Sequence, residues 1–355
     1  MATKATVIVT AVGGIVAQGI IKSLKLCNMK KDHRVVYRII ATDISPQAAG
    51  LYRSNIGILV PSHSSPDYVE SIIKICKEQS VKAIFVGSDE ELLPIAFAKE
   101  KIEKETGAVV LVNPLNVIST GIDKWKTFEF LKRNNLPCAE SSLPENQEKF
   151  IEEYGFPLVV KPREGQGSLH FYIVNNRDEM RHAISAIQKI GWHPIIQEYL
   201  PGENAEFTSG VTVDKTGKNI MSSITMRKTL KQGQTYKAFI EDFGDIRKSA
   251  EETALKFGCR GSINIQAKLI ENKAKIFEIN PRFSATCPMR TVAGINEPDI
   301  VFRNFVLGEE IKITNYQKLV CMRYWNEVYV PYSNYEKTDK LKKVVSSDSF
   351  IPNYF

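Results

Sequence analysis

The sequence predicts a mixed fold, with an α/β domain over residues 1–115 and α+β structure after it. Apolar strand-like runs alternate with helical segments up to Asn113, and this alternation is typical of a parallel sheet. Beyond that point, pairs of strand-like runs are joined by short polar turns, which indicates antiparallel hairpins. The composition, 43% hydrophobic and 25% charged residues, is that of a soluble globular protein. A chain of 355 residues is long enough for two or three domains.

The predicted α/β domain alternates strand and helix along its whole length. Its strands are expected at Val7–Thr10, Val35–Thr42, Ile56–Val60, Ala83–Val86 and Val109–Val112. Its helices are expected at Ile15–Leu26, Asp67–Gln79 and Glu90–Thr106. Strands that are separated by helices run parallel, so helices should cover both faces of this sheet.

An uncharged stretch near the start of the chain admits two interpretations. Residues Ala5–Ile21 follow Lys4 and carry no charge, as the apolar part of a signal peptide would. However, Gly13, Gly14 and Gln18 interrupt the stretch, and no small-x-small cleavage site follows it. A strand, a glycine turn and a helix explain it better. No other segment approaches the run of about 18 apolar residues that spans a bilayer, so we expect no membrane association.

The net charge and the cysteines indicate which binding partners and which cellular compartment to expect. The net charge is 47 − 40 = +7, with basic and acidic residues interspersed, so we expect no nucleic-acid partner. A small phosphate-bearing ligand is compatible with this charge. The six cysteines form no C-x-x-C pair, which indicates reduced thiols and a cytoplasmic protein.

Polar residues follow the predicted strands at the edge where open α/β sheets bind ligands. The first glycine turn has the spacing G-G-x-x-x-x-G, which differs from the G-x-G-x-x-G dinucleotide fingerprint. Asp43 nevertheless lies at a suitable sequence distance for a ribose contact, so a nicotinamide dehydrogenase is a weak alternative. Ser88, Asp89 and Glu90 either contact a ligand or cap the helix that follows.

A glycine-rich loop joins two predicted strands in the next part of the chain. The elements here are a helix over Asp123–Asn134, strands at Leu158–Lys161 and Phe171–Val174, and the loop Pro162–His170. Small residues in Gly165-Gln166-Gly167-Ser168 let backbone N–H groups close on phosphate oxygens, although a plain hairpin turn has the same composition. Lys161 ends the strand before the loop, where its ammonium group can neutralise a bound phosphate.

An apolar strand then runs into a polar turn over Ile195–Gly202. The backbone of such a segment can pair with an adenine edge, and Glu206 follows at a spacing that suits the ribose hydroxyls. Each feature also has a purely structural explanation. Their combination is what indicates a nucleotide site.

The most informative segment is a predicted β-hairpin. Two runs with period-two alternation, Gly261–Ile270 and Ala274–Arg282, flank the polar turn Glu271–Lys273. One face of this hairpin should pack into the core. The side chains expected on that face are Ile263, Ile265, Phe277 and Ile279.

The other face of the hairpin collects polar side chains. With the predicted turn, Gln266 lies opposite Glu278, and Asn264 lies opposite Asn280. A carboxylate and amide oxygens are hard ligands suited to Mg²⁺, which keeps waters and phosphate oxygens as its other ligands. A solvated sheet face is the alternative, but charge pairs would be more usual there. We therefore predict a metal site on this face of the hairpin.

Three segments resemble those of the ATP-grasp superfamily, closest to the half-units of the carbamoyl-phosphate synthase large chain and the stand-alone ligases similar to them. The segments are Val160-Lys161-Pro162 with its glycine loop, Gln197-Glu198-Tyr199-Leu200-Pro201-Gly202, and Phe277-Glu278-Ile279-Asn280-Pro281-Arg282-Phe283-Ser284. The resemblance covers roughly residues 5–310. It implies a Rossmann-like pre-ATP-grasp domain (1–115) and a two-lobed ATP-grasp fold, with lobe A at 116–195 and lobe B at 196–310. Loop 162–170 would be the lid, and the tail 311–355 has no counterpart.

The resemblance also implies roles for individual residues. Lys124, Lys161, Gly165, Gly167, Ser168, Glu198, Leu200 and Glu206 would bind ATP, with Glu198 and Leu200 at the adenine hinge and Glu206 at the ribose. Gln266, Glu278 and Asn280 would hold Mg²⁺ or Mn²⁺. Arg282 would face the transferred phosphoryl group and, with Lys161, would form the catalytic pair.

The implied activity is an ADP-forming carboxylate–amine ligase acting on small molecules. The chain holds one ATP-grasp unit, whereas a full carbamoyl-phosphate synthase needs two. The histidine of the synthase has no match near Met226-Arg227-Lys228, which argues against bicarbonate as the substrate. An ATP-grasp kinase and a non-catalytic ATP-binding module stay open as alternatives. The tail could cover a sheet, close the pocket or contact the second subunit of a homodimer.

Overall fold

A computed structural model of the protein describes residues 2–30, 33–165, 169–202, 206–324, 326–344 and 348–352. The strands are β1 (Thr3–Val9), β2 (Val35–Asp43), β3 (Ile56–Leu59), β4 (Ala83–Phe85), β5 (Val109–Leu111), β6 (Ser141–Ser142), β7 (Leu158–Pro162), β8 (Tyr172–Val174), β9 (Pro194–Glu198), β10 (Glu206–Val213), β11 (Ile220–Lys231), β12 (Gln234–Ile240), β13 (Gly261–Ile270), β14 (Lys273–Asn280) and β15 (Leu319–Met322). The α-helices are α1 (Ile15–Met29), α2 (Ala49–Tyr52), α3 (Tyr68–Gln79), α4 (Asp89–Phe97), α5 (Lys99–Thr106), α6 (Leu115–Gly121), α7 (Lys124–Arg133), α8 (Gln147–Tyr154), α9 (Arg177–Lys189), α10 (Gly244–Lys256), α11 (Cys287–Ala293), α12 (Glu297–Leu307) and α13 (Tyr332–Leu341). Within the described residues, these strands form sheets of five, six and four strands.

The five-stranded sheet is parallel, as the alternation of strand and helix predicts, and its strand order is β3-β2-β1-β4-β5. Successive residues of β1 enter different cores: Val7 and Val9 pack into one, and Ile8 packs into the other. Both faces are therefore buried. The helix predicted at Glu90–Thr106 is in fact two helices, α4 and α5, which meet at Ala98. Buried apolar residues keep a helical spacing across that break, so the sequence pattern does not reveal it.

The four-stranded sheet is antiparallel, with the strand order β6-β9-β7-β8. Its core includes Phe150, Val160, Ile187 and Ile196 and packs under α8 and α9. The lobe boundary predicted between residues 195 and 196 falls inside β9, which pairs with β6 and β7. The division of the chain into two lobes at that point stays a prediction.

The six-stranded sheet is antiparallel, with the strand order β14-β13-β10-β11-β12-β15. Helix α10 covers one face, where Ala250 and Ile263 share a core. On the other side, Ile224 and Met226 belong to the same core as Val7 of the N-terminal sheet. This shared core fixes the N-terminal sheet against the six-stranded sheet.

The segment after residue 310 borders two of the sheets. Strand β15 pairs antiparallel with β12. Farther on, the Leu59 N–H donates to the Lys342 carbonyl oxygen at 2.8 Å, and the Val344 N–H donates to the Gly57 carbonyl oxygen at 2.9 Å. The tail therefore covers sheet edges, which is one of the roles that the sequence left open.

The described residues show whether any helix could span a membrane and in which state the cysteines are. No helix among them combines the length and apolar character needed to cross a bilayer. All six cysteines are free thiols. Burial raises the pKa of Cys27 and of Cys76 to about 12, so these thiols are weak nucleophiles at neutral pH.

A fully buried ion pair packs against the six-stranded sheet. Arg290 Nη1 donates to Glu297 Oε1 at 2.9 Å, and both side chains are 0% exposed. Arg290 Nη2 also donates to Asn264 Oδ1 at 2.7 Å and to Thr208 Oγ1 at 3.1 Å. The pair lies against Gly210 of β10, where a Cβ atom would come within 2.0 Å of Arg290 Nη1. Strand β10 therefore needs glycine at this position.

Replacing Gly210 by alanine should destabilise the protein by about 3 kcal/mol or more, because the methyl group displaces a buried ion pair. Gly244→Ala is the matched control, since its Cβ would meet only Asp242 Oδ1 at 3.7 Å. We expect that control to change the free energy of unfolding by less than about 1 kcal/mol. Urea unfolding of both variants measures the difference. Equal stabilities would contradict this account of the buried pair.

Candidate functional site

A cleft of about 1170 Å³ lies where the three sheets meet. The N-terminal sheet lines it with residues at the carboxyl ends of its strands, as open α/β sheets do. The sequence-predicted residues that line it are Lys124, Lys161, Gly165, Glu198, Leu200, Glu206, Gln266, Glu278, Asn280 and Arg282. Gly167 and Ser168 lie outside the described residues. The structure thus brings the candidate residues from separate parts of the chain into one cavity.

The hairpin of β13 and β14 has the predicted register at the site. Gln266 is paired with Glu278, and Asn264 with Asn280. The turn itself is shorter than predicted, because only Glu271 (φ 49°) and Asn272 (φ 60°) lie between the paired strands. A register shift next to Gln266 then restores the predicted pairing. The shift is a β-bulge that leaves one residue of β14 without a direct partner.

Phe277 is the residue at this bulge, and its predicted orientation is wrong. The core face holds Ile263, Ile265 and Ile279, as predicted, but it also holds Ile276 instead of Phe277. Phe277 lines the cleft. A bulge places two successive residues against one on the partner strand and interrupts the alternation of faces, so the period-two pattern fails at this point.

Lys228 and Gln266 connect the expected metal ligands of the cleft to the expected ribose residue. Gln266 Nε2 donates to Glu278 Oε2 at 3.0 Å, and Gln266 Oε1 accepts from Lys228 Nζ at 2.5 Å. The same Lys228 ammonium lies 2.8 Å from Glu206 Oε1. The expected metal and ribose residues are therefore joined through one buried lysine.

Arg282 connects the hairpin to the N-terminal domain. Its guanidinium forms a two-point ion pair with Asp89, with Nε–Oδ1 and Nη2–Oδ2 distances of 2.7 and 3.0 Å. Nη2 also donates to Asn280 Oδ1 at 3.0 Å. Asp89 begins α4, and Ser88 caps that helix by accepting from the Glu91 N–H at 3.3 Å. The capping interpretation thus holds for Ser88, whereas Asp89 positions Arg282.

Lys161 is held in the floor of the cleft. Its Nζ donates to Gln197 Oε1 at 2.8 Å and lies 5.6 Å from the centre of the Phe277 ring. Burial, and to a smaller extent the nearby Lys124, lowers the pKa of Lys161 to about 7, although Glu278 and Glu206 oppose the shift. An anion placed beside this amine would favour its protonated form.

Lys124 and Arg163 hold the start of the glycine loop. Lys124 Nζ donates to the carbonyl oxygens of Arg163 at 3.3 Å and Gly165 at 3.0 Å. Arg163 in turn forms an ion pair with Asp123 at 2.6 Å. Gly165 has a φ of 115°, a conformation that favours glycine. The loop thus enters the cleft with its backbone oriented by two basic side chains.

The segment Glu198–Leu200, which is expected to contact adenine, offers backbone groups and not a free carboxylate. Glu198 contacts Lys275 Nζ at 2.6 and 2.7 Å and accepts from the Glu140 N–H at 2.8 Å. The Leu200 carbonyl oxygen accepts from Lys268 Nζ at 2.7 Å. That Glu198 and Leu200 contact adenine stays a prediction. The Glu198 carboxylate itself is engaged by Lys275 and by the Glu140 backbone, and so it holds the end of β9 in place.

The N-terminal glycine turn is closed by its own chain. Asp43 Oδ2 accepts from the Gly13 N–H at 2.7 Å, and Oδ1 accepts from the Ser45 N–H at 2.9 Å. Asp43 thus uses one lone-pair site of each oxygen to hold the turn, which gives this residue a structural role that needs no bound dinucleotide.

Some contacts at the cleft were not predicted from the sequence. The sequence offers Arg163, Arg227, Lys228 and Arg290 alike as candidate contacts for an anionic substrate, although each could equally be a surface charge. The ion pair of Asp89 and Arg282 spans two domains. Arg323, from the tail, also lines the cleft. Alternation along β11 predicts which face Lys228 occupies, but no local pattern marks the other two contacts.

Comparison with known proteins identifies the domains that build this cleft. A family model described as an ATP-grasp domain matches residues 122–286. The chain contains an ATP-grasp domain. A second model, described as a PylC-like N-terminal domain, matches residues 15–111. The ATP-grasp resemblance and the predicted fold class are thereby confirmed.

Curated relatives of this chain include carbamoyl phosphate synthase large chains. The one from Helicobacter pylori is 24% identical over 284 residues, which are 75% of this chain and 26% of the relative. The one from Clostridium perfringens is 28% identical over 234 residues, or 61% and 21% of the two chains. The chain thus spans about a quarter of the length of the relatives it matches.

Solved structures share the same fold. N5-carboxyaminoimidazole synthetase from Staphylococcus aureus, complexed with ADP, matches with a TM-score of 0.70 and 16% identity over 91% of this chain and 83% of that one. The biotin carboxylase domain of 2-oxoglutarate carboxylase from Hydrogenobacter thermophilus, solved with MgADP and bicarbonate, matches with a TM-score of 0.65 and 18% identity over 89% and 72%. At these identities the likeness establishes the ATP-grasp fold of this chain.

The lowered pKa of Lys161 gives a testable dependence of stability on pH. Unfolding returns this pKa from about 7 to about 10.5, so the unfolded chain binds more protons than the folded chain between these values. The free energy of unfolding should therefore rise with pH in this window, by about 2 kcal/mol between about pH 7.5 and 9.5. Lys161→Met should remove this part of the slope. Parallel stability curves for the two proteins, measured by urea unfolding, would contradict the shift.

Proposed function

We propose that the protein is an ATP-dependent, ADP-forming ligase that activates a small-molecule carboxylate as an acyl phosphate and couples it to an amine or similar nucleophile. The observation that carries the proposal is the common cleft face of Gln266, Glu278, Asn280 and Arg282, with Lys161 at the floor of the same cleft. Oxygen donors and basic groups together suit a metal-bound triphosphate. The ADP bound in structural relatives supports the same use of this fold.

The chain offers separate groups for each part of the nucleotide. Lys161 and the loop at Gly165 would hold the phosphates; both line the cleft, as does Lys124. The backbone at Glu198–Leu200 supplies the edge for adenine, and Glu206 supplies the ribose contact. In this arrangement, Lys161 takes up a proton when the phosphates arrive, because their charge stabilises its ammonium form.

Gln266, Glu278 and Asn280 fit Mg²⁺ by the chemistry of their donors. All three present oxygen atoms, and each amide oxygen keeps a second lone pair beyond the contacts to Lys228 and Arg282. Glu278 is the single carboxylate of the set, which suits a metal that takes its remaining ligands from phosphates and water. When bound, the metal supplies charge neutralisation at the terminal phosphates.

The chemistry then depends mainly on positioning. A carboxylate oxygen of the substrate attacks the γ-phosphorus, the bond from the γ-phosphorus to the bridging oxygen breaks, and ADP leaves with that oxygen. An amine nitrogen next attacks the acyl carbon, phosphate leaves, and the amine loses a proton. Arg282 is oriented by Asp89 so that its guanidinium can stabilise the charge on the transferred group. No nucleophilic side chain is required.

The reaction class predicts ADP and phosphate as products, because the metal residues and Arg282 would surround the γ-phosphoryl group. We expect a panel of amino acids and small carboxylates to contain an acid that stimulates ADP release. With that acid and no amine, hydroxylamine should trap the acyl phosphate as a hydroxamate. Chromatography of the nucleotide products and a ferric hydroxamate assay measure both outcomes.

Three results would contradict this proposal in different ways. AMP as the main product would place attack at the α-phosphorus and exclude the acyl-phosphate route. ADP with a phosphorylated alcohol and no hydroxamate would indicate a kinase. ATP that binds without any turnover across the panel would favour a non-catalytic module.

A further inference from the structure

The tail places a basic residue in the cleft that neither family model covers. The PylC-like model ends at residue 111 and the ATP-grasp model at residue 286, whereas Arg323 follows β15 directly. The Arg323 N–H donates to the Tyr236 carbonyl oxygen at 3.0 Å, which continues the pairing of β15 with β12 by one hydrogen bond. The sheet edge therefore fixes the backbone from which this side chain enters the cleft.

The Arg323 side chain is oriented by carbonyl oxygens of two cleft walls. Nη1 donates to the Thr235 carbonyl oxygen at 3.0 Å, and Nη2 donates to the Ala285 carbonyl oxygen at 2.6 Å. Thr235 and Ala285 themselves line the cleft. A guanidinium has five N–H donors, so these two contacts position it without using all of its hydrogen-bonding capacity.

The charge of Arg323 has no counterion among the described residues. The other arginine of the cleft, Arg282, is neutralised by Asp89, and Lys228 is neutralised by Glu206. Beside Arg323 lies Lys22 of α1, whose pKa is lowered by burial, by Arg53 and by Arg323 itself. Burial also lowers the pKa of Arg323. Arg323 is thus a half-buried cation with cationic neighbours and without a counterion among the described residues. An anionic ligand can supply that counterion.

We propose that Arg323 binds an oxyanion of the acceptor substrate, which is the molecule that takes up the phosphoryl group. Arg323 thereby makes the enzyme selective for anionic acceptors. This inference rests on the proposed function, because it concerns the substrate side of the same cleft. Arg323 contacts Ala285, three residues beyond Arg282, which places the anion near the expected phosphoryl-transfer end. A planar guanidinium binds a carboxylate or a phosphate through two parallel hydrogen bonds, so the oxyanion class and not its source is assigned.

The test uses the full chain with a non-hydrolysable ATP analogue and Mg²⁺. Amino acids, succinate, citrate, inorganic phosphate and glycerol 3-phosphate are screened by thermal shift, and the Kd of each hit is measured by calorimetry. Arg323→Gln should raise the Kd of the oxyanion at least about tenfold, and Arg323→Lys should recover part of the affinity. The Kd of the ATP analogue should change by less than about twofold in both variants.

Arg227→Gln is the matched control, because Arg227 lies on β11 of the same sheet, stacks on Phe239 at 4.3 Å and does not belong to the cleft lining. It should leave oxyanion binding unchanged. Carboxylate hits and phosphate hits distinguish the two sources of oxyanion. Unchanged oxyanion affinity in Arg323→Gln, or a panel in which no oxyanion binds the wild type, overturns this inference. Failure of the wild type to bind the ATP analogue would instead contradict the proposed function.

Discussion

The pairing register of β13 and β14 is the constraint on which the candidate site depends. Side chains alternate between faces along a strand, so a slip of β14 by one residue would turn Glu278 and Asn280 into the core and Ile279 into the cleft. The two-residue turn alone would produce such a slip, and the bulge at Phe277 corrects it. Burial of the isoleucines then stabilises the register that presents Glu278 to the cleft.

A second constraint joins this hairpin to the N-terminal sheet. The ion pair of Arg282 and Asp89 crosses between the two domains, and their shared core holds both partners in place. Arg282 therefore has one orientation, which also sets the contact to Asn280. The tail contributes from the other side through Arg323. The cleft is thus assembled from segments that are far apart in the sequence, each fixed by sheet pairing or by an ion pair.

The sequence predicted those parts of the structure that follow from local periodicity. The parallel N-terminal sheet, the pairing of Gln266 with Glu278 and the isoleucine face of the hairpin follow from alternation and turn composition. The bulge at Phe277 was not predicted, because a single unpaired residue leaves no mark in the pattern. The contacts of Asp89 and Arg323 depend on how whole domains pack, and a local pattern contains no information about that packing.

The most direct test of the central claim, that Glu278 and its neighbours on the hairpin hold the metal of a bound nucleotide, is calorimetric titration of ATP with and without Mg²⁺. The wild type should bind ATP in a 1:1 ratio with Mg²⁺ present and much more weakly without it. Glu278→Gln should remove the effect of Mg²⁺ while the protein stays folded, and Asn280→Ala should weaken it less, because water can replace a neutral ligand. Glu271→Gln, in the exposed turn of the same hairpin, is the control and should behave as the wild type. Equal, Mg²⁺-dependent ATP binding by the wild type and Glu278→Gln would contradict the account.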